Sequence, residues 1–146
     1  MLERFKVPEK DRVYVRQEKM RDVTEAMFRY NGVSVKDAQA SADVLMKNDL
    51  RGNESHGVSN GMRRYVREYV TNTINPTPEY KVVRESKTTM TIDADGALGT
   101  HIGPWAMQQA IDRAKDFGMA AVAVINSGHL AGCGYYAMMA ADQGMI

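Results

Sequence analysis

The chain has 146 residues, 44% of them apolar and 25% charged, close to the averages for folded soluble proteins, so disordered and fibrous classes are excluded. Its 19 basic and 18 acidic residues leave a net charge of +1 with no long run of one sign, which argues against nucleic acid or a membrane surface as a partner. No apolar stretch spans a bilayer, the start MLERFKVPEKDRVYV lacks the apolar core of a signal peptide, and the single cysteine, Cys133, forms no internal disulfide. A cytoplasmic protein without a structural zinc site is expected.

In chain order, Met20, Val23, Met27 and Tyr30 recur every three or four residues, and Asn31-Gly32 is a helix stop, which predicts a helix from about Val15 to Tyr30 with that stripe inward. The methionines on it are read as core filler. Ser34 caps a second helix with Asp37 in its first turn, and Ala38, Ala42, Leu45 and Met46 form its buried stripe up to Leu50. A third helix from about Ser55 to Val70 turns Val58, Met62, Tyr65, Val66 and Tyr69 inward. After TNTINPTPE the period changes, and Tyr80 to Arg84 and Thr88 to Asp93 read as strands.

Asp95-Gly96 and Gly99 mark a loop, and Pro104 fits the first turn of a helix that runs to Phe117 and ends at Gly118. Met119 to Ile125 is an apolar run of strand length, expected to be covered on both faces. A last helix is predicted from about Gly132 to Gln143, ended by Gly144, with Met145-Ile146 opening another buried strand, so the chain is expected to be the front portion of a longer protein. The fold class is α/β: a helical region over residues 1–75, then over 76–146 the first part of a mixed sheet with a βαβ unit.

His129, in INSGHLAGCG, lies between the carboxyl end of the apolar strand and the start of the last helix, where open α/β sheets gather ligands. Helix N–H groups there hold negative charge, and histidine exchanges protons near neutral pH. The plainer alternative is a histidine that caps a turn. In NESHGVSN, His56, Asn60, Arg63 and Arg67 would share the polar face of a helix starting near Ser55. That face is either solvated, with Ser55 a plain cap, or a setting for an anionic substrate. Asp49 falls on the apolar stripe of the second helix and requires a partner: Arg51, or alternatively Ser55 or His56.

The segments DLRGNESHGVSNGMRRY (49–65) and INSGHLAGCGYYAMMAADQGMI (125–146) resemble the two signature regions of the malate/L-lactate dehydrogenase family, which is unrelated to the Rossmann-type lactate and malate dehydrogenases and also holds ureidoglycolate and sulfolactate dehydrogenases. The resemblance runs along the whole chain but spans less than half of a family protein. It implies a non-Rossmann dinucleotide-binding architecture, in keeping with the lack of a GxGxxG after any strand. It implies hydride exchange between NAD or NADP and a small 2-hydroxy acid or 2-keto acid, malate- or lactate-like, in a homodimer. By resemblance His129 is the proton acceptor, Ser55 and His56 form a relay, and His56, His129, Leu130, Ala131, Gly132 and Cys133 adjoin the cofactor.

Many family members carry an arginine at the place of Asn60, where it grips the substrate carboxylate. A neutral amide there offers fewer donors, so Asn60 is assigned to the substrate together with Arg63, with Arg64 as a further candidate. His101, in GTHIGPW, is read as structural. Cys133 with His129 would permit a thiol hydrolase, but a small residue packed beneath the loop is the preferred reading. The other function class is a non-catalytic α/β module that self-associates or binds a partner.

Overall fold

The computed structural model describes residues 8–146, so the first seven residues of the stretch read as lacking a signal-peptide core lie outside the described residues. A 3₁₀ turn at Glu9–Asp11 precedes three helices: α1 (Gln17–Tyr30), α2 (Val35–Leu50) and α3 (Val58–Val70). α2 is the element the sequence specifies most completely. Ser34 Oγ accepts the Asp37 N–H at 3.1 Å and donates to the Asp37 carboxylate at 2.7 Å, and Ala38, Ala42, Leu45 and Met46 are all buried.

α1 presents a different face from the expected one. Thr24 and Phe28 are buried, whereas Val23 is 55% and Tyr30 92% exposed, and Met27 lies at the surface. The sequence carries two overlapping stripes, and the one that holds Phe28 wins. Its ring stacks on Tyr65 at 6.4 Å and meets Tyr69 edge-on, while the Thr24 hydroxyl is satisfied by the Met20 carbonyl. Met27 is therefore not core filler.

The strands β1 (Lys81–Glu85), β2 (Thr89–Asp93) and β3 (Ala121–Ile125) lie in the order β1-β2-β3, with β1 antiparallel and β3 parallel to β2. Met90 and Ile92 of β2 pack under Ile102 and Ala106 of α4 (Gly99–Phe117), the crossover helix from β2 to β3. Among the described residues β3 is covered on one face. Val122 and Val124 turn toward this core, while Ala121, Ala123 and Ile125 are exposed, because among the described residues α4 covers one face of the sheet only.

Two further boundaries differ from expectation. α4 begins at Gly99, five residues before Pro104, which therefore sits inside the helix. Its missing N–H leaves only the Thr100 carbonyl without its helical donor, a small loss so near the helix start. Gly99 is not a loop residue: a Cβ there would lie 2.7 Å from the Gly128 carbonyl, so the glycine permits a close approach. α5 is shorter than predicted, Gly134–Ala141. Gly144 (φ +74°) closes it with bonds from Gly144 N–H to Ala141 and Met145 N–H to Ala140.

The helices and the sheet region meet directly. Leu98 and Ala131 join the core of α2 and α3, and the fully buried hydroxyls of Ser41 and Thr100 bond at 2.8 Å across α2 and α4. Among the described residues no helix is long and apolar enough to cross a membrane.

Candidate active site

The loop from β3 to α5 carries His129. It leaves the strand through Asn126 (φ +52°), and the Gly128 N–H donates to the Ala97 carbonyl at 2.7 Å, which ties the loop to the start of α4. Ala131, buried and held at φ +61°, points its N–H at His129 Nδ1, 3.3 Å away. A non-glycine residue in the left-handed region carries backbone strain, and here that strain aims a donor at the ring. The Tyr65 hydroxyl lies 2.8 Å from the same nitrogen.

The second segment is built differently from expectation. Glu54–His56 form a 3₁₀ turn, Gly57 is extended (φ −94°, ψ −168°), and α3 starts only at Val58. His56 is thereby separated from the helical face of Asn60, Arg63 and Arg67. The cause is Asp49. Its Oδ2 accepts the Val58 N–H at 2.8 Å, so the carboxylate caps α3, and a Cβ at Gly57 would fall 1.6 Å from Oδ1. The partner of Asp49 is thus a backbone amide at a helix N-terminus, not Arg51, Ser55 or His56. Burial raises its pKa, the Val58 amide opposes that, and Glu54 adds to it.

The fold brings the two segments together. The rings of His56 and His129 stack with centroids 5.7 Å apart and planes 22° from parallel, and Ser55 Oγ lies 2.9 Å from His56 Nδ1. Burial depresses the His129 pKa below the ordinary histidine value, and the charges of Arg64 and His56 push it the same way, against a weaker pull from Glu68. The ring is therefore neutral around neutral pH and able to exchange a proton.

The remaining predicted residues separate. Leu130 and Cys133 are exposed, while Ala131 and Gly132 are buried. Cys133 does not pack beneath the loop. It precedes α5, open to solvent, and its exposed position leaves the loop to be sealed by Ala131 and Gly132. Asn60 Nδ2 donates to the Glu54 carbonyl at 2.9 Å, closing the SHG turn, and Arg63 is exposed on α3. His101 is buried away from this site, its Nε2 2.9 Å from the Tyr69 hydroxyl.

Sequence reasoning missed Tyr65 and Asn53 as contributors, and for Arg64, named only as a substrate candidate, it missed the effect on His129. Tyr65 was assigned to the apolar stripe alone, although a buried tyrosine hydroxyl needs a partner, and that need was the available signal. Asn53 bonds Ser55, and Arg64 acts on His129 through its charge, neither of which a sequence period reveals. Beside the loop, Gly99, Ile102, Gly103, Val124, Leu130 and Tyr136 line a mostly apolar groove of about 380 Å³. Among the described residues no group of three or more His, Cys, Asp or Glu side chains is placed to hold a metal.

A family model described as malate/L-lactate dehydrogenase matches residues 15–146, and the chain belongs to that family. It is 44% identical over 115 residues to a malate dehydrogenase of Pyrococcus horikoshii, covering 79% of this chain and 32% of the relative. An L-sulfolactate dehydrogenase of Methanocaldococcus jannaschii is 41% identical, with 79% and 33% covered. The solved structure of malate dehydrogenase from Pyrococcus horikoshii superposes with a TM-score of 0.89 at 38% identity, covering 99% of this chain and 41% of that one. The chain thus spans about a third of the length of the curated relatives it matches.

Proposed function

We propose that this member of the malate/L-lactate dehydrogenase family serves a 2-hydroxy-acid dehydrogenase, exchanging hydride between NAD or NADP and a small 2-hydroxy or 2-keto acid of the malate or lactate kind. The observation that carries the reading is the stacked pair of His129 and His56 beside the carboxyl end of a parallel strand, in a fold shared with malate and sulfolactate dehydrogenases. Expulsion of hydride from a hydroxy acid needs removal of the hydroxyl proton, and an imidazole pair is suited to that task at neutral pH. His129 faces the substrate oxygen in this reading, with Tyr65 and the Ala131 amide fixing its ring, and Ser55 steadying His56.

The chain's own residues fit a nicotinamide nucleotide. The groove beside Leu130 is mostly apolar, and its volume lies within the range of small-molecule sites. When bound, the nicotinamide supplies the hydride acceptor or donor. Leu130, Ala131, Gly132 and Cys133 would adjoin it together with the two histidines. The substrate carboxylate is assigned to Arg63, with Asn60 holding the preceding turn and the Arg64 charge adding to the burial that lowers the His129 pKa.

The same reading places the enzyme in the cytoplasm as a homodimer. For these 146 residues alone little or no turnover is expected, because they span about a third of their relatives' length. The test is made in the full-length context those relatives define: NADH and NADPH fluorescence for binding, then turnover with malate, lactate, sulfolactate and ureidoglycolate. Binding of one cofactor with turnover of at least one acid is the expected result. Absence of both with every acid would leave the non-catalytic module as the better reading.

A further inference from the structure

Behind His56 lies a chain of polar side chains whose hydrogen-bond directions can be deduced one from the next. Asn48, buried to 5% exposure, has its side-chain amide 2.8 Å from the Val44 carbonyl. A carbonyl only accepts, so the Asn48 NH₂ faces it and Asn48 Oδ1 faces the other way. Oδ1 in turn only accepts, so the group 2.9 Å away must be the Asn53 NH₂. Asn53 Oδ1 is then left for Ser55 Oγ at 3.1 Å, and the single serine proton is used there. Toward His56 Nδ1, 2.9 Å away, Ser55 can only accept. Nδ1 therefore carries the ring's proton, and Nε2 carries the lone pair.

The neighbouring ring is fixed in the opposite sense. A backbone N–H only donates, so the Ala131 amide makes His129 Nδ1 the acceptor and places the neutral ring's proton on Nε2. The Tyr65 hydroxyl donates to the same Nδ1. Among the described residues neither Nε2 makes a hydrogen bond within the chain. The stacked pair thus presents one bare acceptor, on His56, beside one N–H donor, on His129.

We propose that Asn53 is a positioning residue that locks His56 in the Nδ1–H tautomer and leaves its Nε2 lone pair open beside the His129 ring. A proton taken at His56 Nε2 makes that ring an imidazolium whose Nδ1–H still donates to Ser55, and no other atom of the network has to turn. The His129 loop seals the network. A Cβ at Gly132 would lie 2.1 Å from Asn48 Oδ1 and 2.8 Å from Asn53 Nδ2, so the bare glycine backbone packs directly on the two amides and leaves no room for water to exchange with them. The assignment of a catalytic use to this lock rests on the dehydrogenase reading; the lock itself does not.

The test is a two-bond proton–nitrogen correlation spectrum of the ¹⁵N-labelled chain, recorded at a pH where the imidazoles are neutral. His56 should show a pyrrole-type Nδ1 and a pyridine-type Nε2, and His129 the reverse. Asn53→Ala should move the His56 tautomer ratio roughly fivefold toward Nε2–H, the worth of about one neutral hydrogen bond, and leave His129 unchanged. Ser55→Ala, which removes the acceptor without touching the two asparagines, should move it the same way and serves if Asn53→Ala does not fold. Asn53→Asp keeps an acceptor for Ser55 and should retain the native signals at His56.

A native His56 with the proton on Nε2, or an unchanged ratio in either alanine variant, overturns the proposal. Native ring signals together with no turnover of any tested acid in the full-length context would remove the functional reading and leave the lock standing, so the two failures are told apart.

Discussion

Tyr65 shows how one side chain joins the core to the chemistry. Its ring is buried against Phe28, and its hydroxyl reaches His129; burial pushes the phenol pKa up to about 12, so the group stays protonated and available as a donor. A donor to Nδ1 stabilises the neutral imidazole. Tyr65→Phe is therefore expected to raise the His129 pKa and to lower stability by about 1 kcal/mol, both measurable by NMR titration and urea unfolding. An unchanged or lower His129 pKa would show that the hydroxyl does not donate there.

His101 supplies the clearest pH dependence. It is 3% exposed, and burial brings its pKa down to about 4, with Asp37 opposing only weakly. For a base whose folded pKa lies below its unfolded value, the unfolded state binds more protons, so stability is complete above about pH 6.5 and falls as pH drops toward 4. Over that window roughly 3 kcal/mol is at stake. Urea midpoints measured from pH 7 to 4 should show the decline, and His101→Gln should flatten it; an equal slope in the variant would place the titration elsewhere.

At the scale of elements, Gly57 is where the SHG turn is decided. Its φ of −94° suits alanine, so any penalty of Gly57→Ala comes from the Asp49 carboxylate that the new methyl would displace from the Val58 amide. The expected loss is about 1–2 kcal/mol, the worth of a helix cap. Asp49→Ala should cost a similar amount, and the double variant little more than either, because both remove one interaction. Additive losses in urea unfolding would separate the two residues.

The legibility of each element follows the same physics. α2 could be read because cap, first-turn acid and stripe agree on one register. α1 could not, because the stripe through Val23 and Met27 competes with the one through Phe28, and only the tyrosines of a distant helix choose between them. Gly99 reads as a loop signal and Gly57 as part of the third helix, whereas each is a point of close approach to a partner that sequence does not reveal. The strand expected over Met119 to Ile125 is observed as Ala121–Ile125, but coverage of its faces is a property of what packs on the sheet, which a run of apolar residues does not specify.

At the scale of the molecule, the helical region and the sheet converge on one place. α3 brings Tyr65, the turn before it brings Ser55 and His56, and the loop after β3 brings His129 and the amide that orients it. The position of His129 and its kinship with the SHG turn were readable from sequence. The hydrogen bonds that give each ring its proton were not, since they join residues up to 64 positions apart. The exposed residues of β3 leave one face of the sheet open among the described residues, the feature that a non-catalytic module would use.

The most direct test of the central claim is steady-state turnover of His129→Ala in the full-length context, with nicotinamide binding followed by fluorescence in the same preparation. A loss of at least about 100-fold in turnover with cofactor affinity nearly unchanged is the predicted result, the usual contribution of a proton-exchanging side chain. Turnover close to that of the unaltered enzyme would contradict the account, because hydride would then be leaving without the imidazole that the fold holds in place for it.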